Sequence, residues 1–331
     1  MRRAWHSGRT IYNLWWSQAG LPPDRVGLAP PVCYLTARLN ALHGKRPDKA
    51  RRVLMGGSED HGGRTEVWAS GAAYDPYVGR WSRRVAREFV AWLAIPAGSR
   101  WLDVGCGTGA LSQTILETAS PREVWGIDAS ERYVTYAREQ VTDWRARFSV
   151  ADASALPCMS AVHDAVVSGL VLNFVPRPAA AVAEMARAAV VGGTVAAYLW
   201  DYAGQMQLVR HFWDAAVALD PSALEMDEGR RFPLCQPHPL AELFRSAGLD
   251  QVEVRSIDVP TTFLDFDDYW SPFLGGQGPA PAYAMSLSGE HRAGLRERIR
   301  AQLPIAADGS IHLVARAWAV RGMRRRPGVE G

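Results

Sequence analysis

Trp101-Leu102-Asp103-Val104-Gly105-Cys106-Gly107-Thr108-Gly109-Ala110-Leu111 is the stretch whose reading decides the fold. Its apolar first half reads as a buried strand, the three alternate glycines as a tight loop, and Leu111, Ile115 and Leu116 as the start of a helical apolar pattern. Glycine lets the backbone turn sharply and lets a ligand approach where a Cβ would collide, while the new helix offers unpaired N–H groups. The loop is expected to hold a small molecule.

Working outward, strands and helices alternate. Glu123 to Asp128 reads as a second strand, 130–142 as a helix, Arg147 to Asp152 as a third strand and Asp164 to Ser168 as a fourth. A helix over 178–190 and a fifth strand from Gly193 to Trp200 follow. Upstream, Trp81, Val85, Phe89 and Leu93 recur at fours and predict an amphipathic helix over 79–94, stopped by Ile95-Pro96-Ala97-Gly98. Such alternation predicts an α/β, doubly wound parallel sheet with helices on both faces. In these sheets ligands lie beyond the carboxyl ends of the strands.

That rule places Asp103 and the glycines, Asp128, Asp152, Ser168 to Asn173, and Trp200-Asp201-Tyr202 on one rim. Asp128 ends the second strand about twenty residues after the glycines, where a carboxylate accepts hydrogen bonds from both ribose hydroxyls. Asp152, followed by Ala153, is placed to receive an adenine amino group. A strand-end Asp is usually a helix cap or turn residue, but three beside a glycine loop point to binding. Gly105, Gly107 and Ala110 also satisfy a loose dinucleotide pattern. Against a dinucleotide stands Asp103, because a loop facing pyrophosphate does not want a carboxylate two residues before its first glycine. A ligand with a cationic amine suits it better.

Taken together these motifs resemble the class I S-adenosylmethionine-dependent methyltransferases, of the small-molecule, ubiquinone/menaquinone-methyltransferase-like kind. Leu102 to Gly109 resembles the first motif of that family, Trp125-Gly126-Ile127-Asp128-Ala129-Ser130 the second, Ala151 to Pro157 the third and Asp164 to Val175 the fourth. The resemblance implies a mostly parallel seven-stranded sheet, S-adenosylmethionine as cofactor and a small-molecule methyl acceptor. It assigns Asp103, Gly105, Cys106, Gly107 and Gly109 to the methionyl part, Asp128 and Ala129 to the ribose and Asp152 and Ala153 to the adenine. Ser168 joins the cofactor set, and Tyr74 and Arg80 close over the cofactor from the N-terminal side. Leu172-Asn173 stands where many relatives have a His pair, which leaves the acceptor open.

The same plan implies a helix at Leu240, Leu243 and Phe244, a sixth strand from Val252, and a seventh, antiparallel, from Ile311 to Trp318. Two segments interrupt it, 203–237 and 264–305, and are read as a helical cap over the carboxyl rim. Asn173, Trp200, Tyr202, Tyr269 and Trp270 are the substrate-pocket candidates. No general base is named: His163 should lie on the far side of the sheet, and a strand-end Asp201 more often orients a turn.

Composition bounds the alternatives. At 48% apolar and 21% charged, 331 residues can bury a full core, and no run approaches the roughly 18 apolar residues of a membrane span. Four scattered cysteines without a paired spacing suggest no metal site and fit a reducing cytoplasm. Residues 1–54 carry ten Lys/Arg against two acids, whereas 27 stand against 32 from residue 55 onward. The basic arm reads as a nucleic-acid tether, a transit peptide or, given its prolines, a loosely structured extension. A net acidic body argues against nucleic acid as acceptor. Residues 1–66 are expected to be an extension, 67–322 the catalytic domain and 323–331 a tail. An NAD-dependent oxidoreductase and a non-catalytic adenosyl-ligand-binding module are the competing classes. If the functional chain starts at Met55, the intact mass of the native protein will lack the first 54 residues; a mature N-terminus near Met1 would refute this.

Overall fold

The structure, a computed structural model, describes residues 79–275 and 278–325. The basic arm, Tyr74 and most of the tail lie outside the described residues. Helix α1 (Arg80–Leu93) buries Trp81, Val85, Phe89 and Leu93, the residues repeating at fours. Ala94, with φ 50°, reverses the chain before Ile95-Pro96. Strand β1 (Arg100–Val104) runs into the glycine loop, α2 (Ala110–Thr118), β2 (Glu123–Asp128) and α3 (Glu131–Gln140). Ser130 caps α3 by accepting the Tyr133 N–H. Next come β3 (Ala146–Val150), β4 (His163–Gly169), α4 (Pro178–Ala188) and β5 (Ala189–Trp200).

The sheet order is β3-β2-β1-β4-β5-β7-β6, with β6 (Leu249–Phe263) and β7 (Ile311–Arg324) closing it. Strands β1 to β5 pair in parallel, and β7 runs antiparallel to both its neighbours. Alternate side chains along each strand feed two apolar layers. One joins Trp101, Ala165, Val167, Ala196 and Tyr198 to α1, α2 and α3; the other joins Leu102, Val166 and Val195 to α4 and the later helix Pro237–Ser246. The near-continuous burial along β1 and β4 is what a sheet covered on both faces requires.

The differences from expectation are at element ends. Strand β3 stops at Val150, leaving Asp152 in the following turn. Strand β5 begins four residues early because Ala189 already pairs with His163, so Gly192 and Gly193 lie within the strand beside a register shift. Strand β7 continues through Met323 and Arg324, so the tail does not begin at 323.

Beyond Trp200, where β5 ends opposite Ala317, β6 and β7 continue as a two-stranded ribbon from Ile257↔Ala317 to Phe263↔Ile311. That extension is about 20 Å at the usual rise per residue. The two interrupting segments pack on it as one helical layer. The first holds a helix, Gln207–Leu219, and a single turn, Glu228–Arg231. The second holds Phe266–Trp270, Pro279–Ser286 and Gly289–Gln302. Phe212 stacks on Phe273 at 4.6 Å, and Trp81 meets Phe263 edge-on at 5.2 Å, so α1, the ribbon and the cap share a core.

Phe89, fully buried with its ring 4.7 Å from that of Tyr198, ties α1 to β5. Phe89→Ala is expected to destabilise the protein by about 3–5 kcal/mol, read as a lower urea midpoint with an unchanged slope.

Candidate functional site

The glycine loop is built from conformations that only glycine adopts cheaply. Gly105, Gly107 and Gly109 have φ of 75°, 51° and 88°. A Cβ on Gly105 would lie 2.5 Å from a Val171 methyl, so that position is sterically closed to side chains. A Cβ on Gly107 would meet nothing within 4 Å. Gly107 thus faces open space, whereas a Cβ on Gly109 would lie 2.9 Å from a Val141 methyl. The course of the loop is held by Gly105 and Cys106, whose N–H groups both donate to the Ile127 carbonyl at 2.7 and 3.0 Å.

Asp128, at the end of β2, accepts the Gly107 N–H on one oxygen at 2.9 Å and the Ser130 N–H on the other at 2.8 Å. Each oxygen keeps acceptor capacity for a further donor. Asp103 is fully buried: Ser112 Oγ donates to its Oδ2 at 2.7 Å, and its Oδ1 has no partner. Burial pushes the carboxyl up to about 7, opposed by the Ser112 hydrogen bond and reinforced by the nearby Asp128. Burial also raises the Cys106 thiol, which packs toward Gly126, so Cys106 serves the loop through its backbone rather than as a nucleophile. Asp152 is exposed and holds its own turn by accepting the Ser154 N–H and hydroxyl on Oδ1, both at 2.8 Å, which lower its pKa. Ala129 and Ala153 follow these carboxylates directly.

Strand β4, beside β1, carries Ser168 next to its last residue, and the buried Oγ of Ser168 has no partner. Leu170 turns the chain with a φ of 61°, and Asn173 beyond it leaves its Nδ2 buried and unpartnered. The adjacent Phe174 ring is 5.3 Å from Phe232, which is 5.7 Å from Tyr202. Three aromatic rings from the exit of β4, the exit of β5 and the cap therefore line one wall.

Of the aromatic residues singled out in the sequence, only Tyr202 belongs to this wall. Tyr269 is fully buried, donates its hydroxyl to the Leu208 carbonyl at 2.8 Å and packs against Phe263, Phe266 and Phe273. Trp270 packs against Phe273, and Trp200 points into the α1-side core. These three are cap and core residues. Burial drives them there, and composition cannot separate a core aromatic from a pocket one. Phe174 and Phe232 went unnoticed; the available signal was that Phe174 follows Asn173 at a strand exit. Asp201 orients its turn, its Oδ2 accepting the Gln205 N–H at 2.9 Å. His163 opens β4 at the opposite end of the sheet. Arg80 is the first residue of α1, and its side chain, like Tyr74, lies outside the described residues.

The donor set suits an adenosyl ligand with a cationic amine. A buried carboxylate oxygen without a partner suits a cation, Gly107 leaves its side of the loop open, and Asp128 still accepts hydroxyl donors.

Comparison with known proteins agrees. A family profile described as a methyltransferase domain matches residues 102–197. The chain is 31% identical over 183 residues to the demethylmenaquinone methyltransferase of Roseiflexus castenholzii, covering 51% of this chain and 75% of that one. It is 29% identical to the 2-methyl-6-phytyl-1,4-hydroquinone methyltransferase of Synechocystis sp., covering 56% and 57%. Phosphoethanolamine N-methyltransferase 2 of Haemonchus contortus, solved with phosphomonomethylethanolamine and S-adenosylhomocysteine, shares the fold at a TM-score of 0.50, with 17% identity over 78% of this chain and 58% of that one. The chain belongs to the S-adenosylmethionine-dependent methyltransferases. It is an enzyme that uses S-adenosylmethionine to methylate a small molecule.

The Asp103 carboxyl has a direct consequence for stability. Its folded pKa is raised above the unfolded value, so its contribution is present at low pH and is lost as pH rises through about 7. Thermal unfolding of the ligand-free protein should therefore give a higher Tm at pH 6 than at pH 8, and Asp103→Asn should flatten that slope; an unaltered slope would refute the assignment.

Proposed function

We propose that the protein methylates a planar hydroxyaromatic molecule of the quinol type, seated on the wall of Phe174, Tyr202 and Phe232. The observation that carries this reading is the buried, unpartnered Asn173 Nδ2 beside that wall. An amide donor left without a partner costs stability unless a ligand oxygen takes its hydrogen bond. An aromatic wall favours a flat ring, and the names of the Roseiflexus and Synechocystis relatives supply the quinol. The net acidic body leaves nucleic acid aside as acceptor.

On the donor side, Asp103 Oδ1 would take the methionyl ammonium, Asp128 the ribose hydroxyls, and Asp152 with Ala153 the adenine edge. Gly105, Gly107 and Gly109 would carry the backbone past the ligand, with Ala129 flanking the ribose and Ser168 near the methionyl end. Tyr74 and Arg80 complete the proposed set. S-adenosylmethionine brings a methyl group already activated on a sulfonium. The chain's own residues then have to orient the acceptor, exclude water and offer the emerging charge no competing partner. Orientation alone supplies about 7–11 kcal/mol in favourable cases. We assign no general base. The free thiols of Cys106, Cys158 and Cys235 suit a reducing cytoplasm.

Calorimetric titration with S-adenosylmethionine tests the donor side. Asp128→Ala should weaken binding by about 10- to 100-fold, the loss expected of a hydrogen bond to a charged group; unchanged affinity would sink the assignment. For the acceptor, Asn173→Ala should raise the KM for reduced demethylmenaquinone bearing a short isoprenoid tail while leaving donor affinity alone.

A further inference from the structure

The turn Glu228–Arg231 is a single helical turn, yet it is pinned from three directions. Asp227 caps it by accepting the Gly229 N–H at 2.8 Å. Arg210, from the helix Gln207–Leu219, forks onto both oxygens of Asp227 at 2.7 and 3.0 Å, and also reaches the Tyr202 carbonyl at 3.1 Å and Asp214 at 2.8 Å. Trp213, one turn further along that helix, donates its indole N–H to the buried Glu228. Gly229 sits so close to the chain leaving β5 that a Cβ would lie 2.8 Å from Ala203 Cα and 2.9 Å from the Tyr202 carbonyl. The residue that follows this turn is Phe232, the central ring of the aromatic wall.

We propose that Glu228 is a positioning residue: with Trp213 and the Arg210–Asp227 pair it clamps Phe232 against Tyr202 and Phe174, and its ionisation releases the clamp. The proposal rests on the acceptor-wall reading above only for its catalytic consequence, since the clamp itself is a matter of geometry. Phe232 closes that turn, its N–H donating to the Glu228 carbonyl at 2.9 Å, so releasing the turn frees the ring at its end.

The direction of the switch follows from burial. Desolvation raises the Glu228 carboxyl to about 7; the Trp213 hydrogen bond opposes this, Asp227 adds to it and Arg231 subtracts. Cys235 also faces the cluster, its thiol raised by burial and by Asp201 and Glu228. Arg210 is held protonated by Asp227 and Asp214. Because the clamped state binds the proton more tightly than a solvated glutamate does, the clamp is firm at low pH and loosens as pH rises from the ordinary carboxylate range through about 7.

Hydrogen exchange with mass spectrometry on the full chain saturated with S-adenosylhomocysteine tests the clamp directly. After correction for the intrinsic exchange rate, opening of residues 226–235 should increase on the order of tenfold between pH 6 and pH 8. Glu228→Gln keeps a neutral acceptor for the indole and should make exchange there independent of pH. A flat profile in the wild type, or the same rise in Glu228→Gln, would overturn the proposal. The catalytic consequence is read separately with short-tailed reduced demethylmenaquinone. At saturating donor, the wild-type KM should rise several-fold over this pH range and the Glu228→Gln KM should not, with kcat steady. No turnover of that quinol would overturn the acceptor reading, and the exchange result would still decide the clamp.

Discussion

The Ile127 carbonyl accepts two N–H groups, from Gly105 and from Cys106, and the site depends on that junction. It fastens the exit of β1 to the end of β2. The next residue, Asp128, then takes the Gly107 N–H, so loop and carboxylate are placed by one another rather than by the cap. Gly105 satisfies this geometry only because it lacks a side chain, since Val171 occupies the space a Cβ would need. The loop is therefore braced on one side by β2 and on the other by the segment leaving β4. The glycine loop and the segment that carries Asn173 and Phe174 share that second brace, because Val171 lies two residues before Asn173.

Buried charge is the second constraint. Asp103 and Glu228 are both nearly inaccessible carboxyls, each holding a single side-chain hydrogen-bond donor, Ser112 for one and Trp213 for the other. In each case desolvation outweighs the hydrogen bond and lifts the pKa into the neutral range. A carboxyl in that state is costly to the isolated fold, and a cation can offset that cost. Asp103 keeps one oxygen without a partner, whereas Glu228 feels Asp227, which raises its pKa further, and Arg231, which lowers it.

The sheet was largely legible in the sequence because strand and helix periods differ and each apolar run was bounded by turn residues. Strand β2 matches its expected limits, and the four-residue spacing in α1 marked its buried face. The start of β5 was misplaced: it was expected at Gly193, but the strand begins at Ala189 and Gly192-Gly193 lie inside it beside a register shift. The strand-end carboxylates and the glycine loop were legible because backbone position fixes them. The aromatic cluster was not. Phe174, Tyr202 and Phe232 come from three separate stretches of chain, and only tertiary packing brings them together, while Tyr269 and Trp270 looked equally suitable until their neighbours were known.

The ribbon of β6 and β7 that outruns β5 gives the cap its own foundation. Residues 264–305 are inserted at the ribbon's far end, beside Phe263 and Ile311, away from the pairings that set the register of β1 to β5. A change of length between those two residues alters the cap without shifting the pairing of any parallel strand. The layout uncouples the size of the cap from the register of the sheet that carries it.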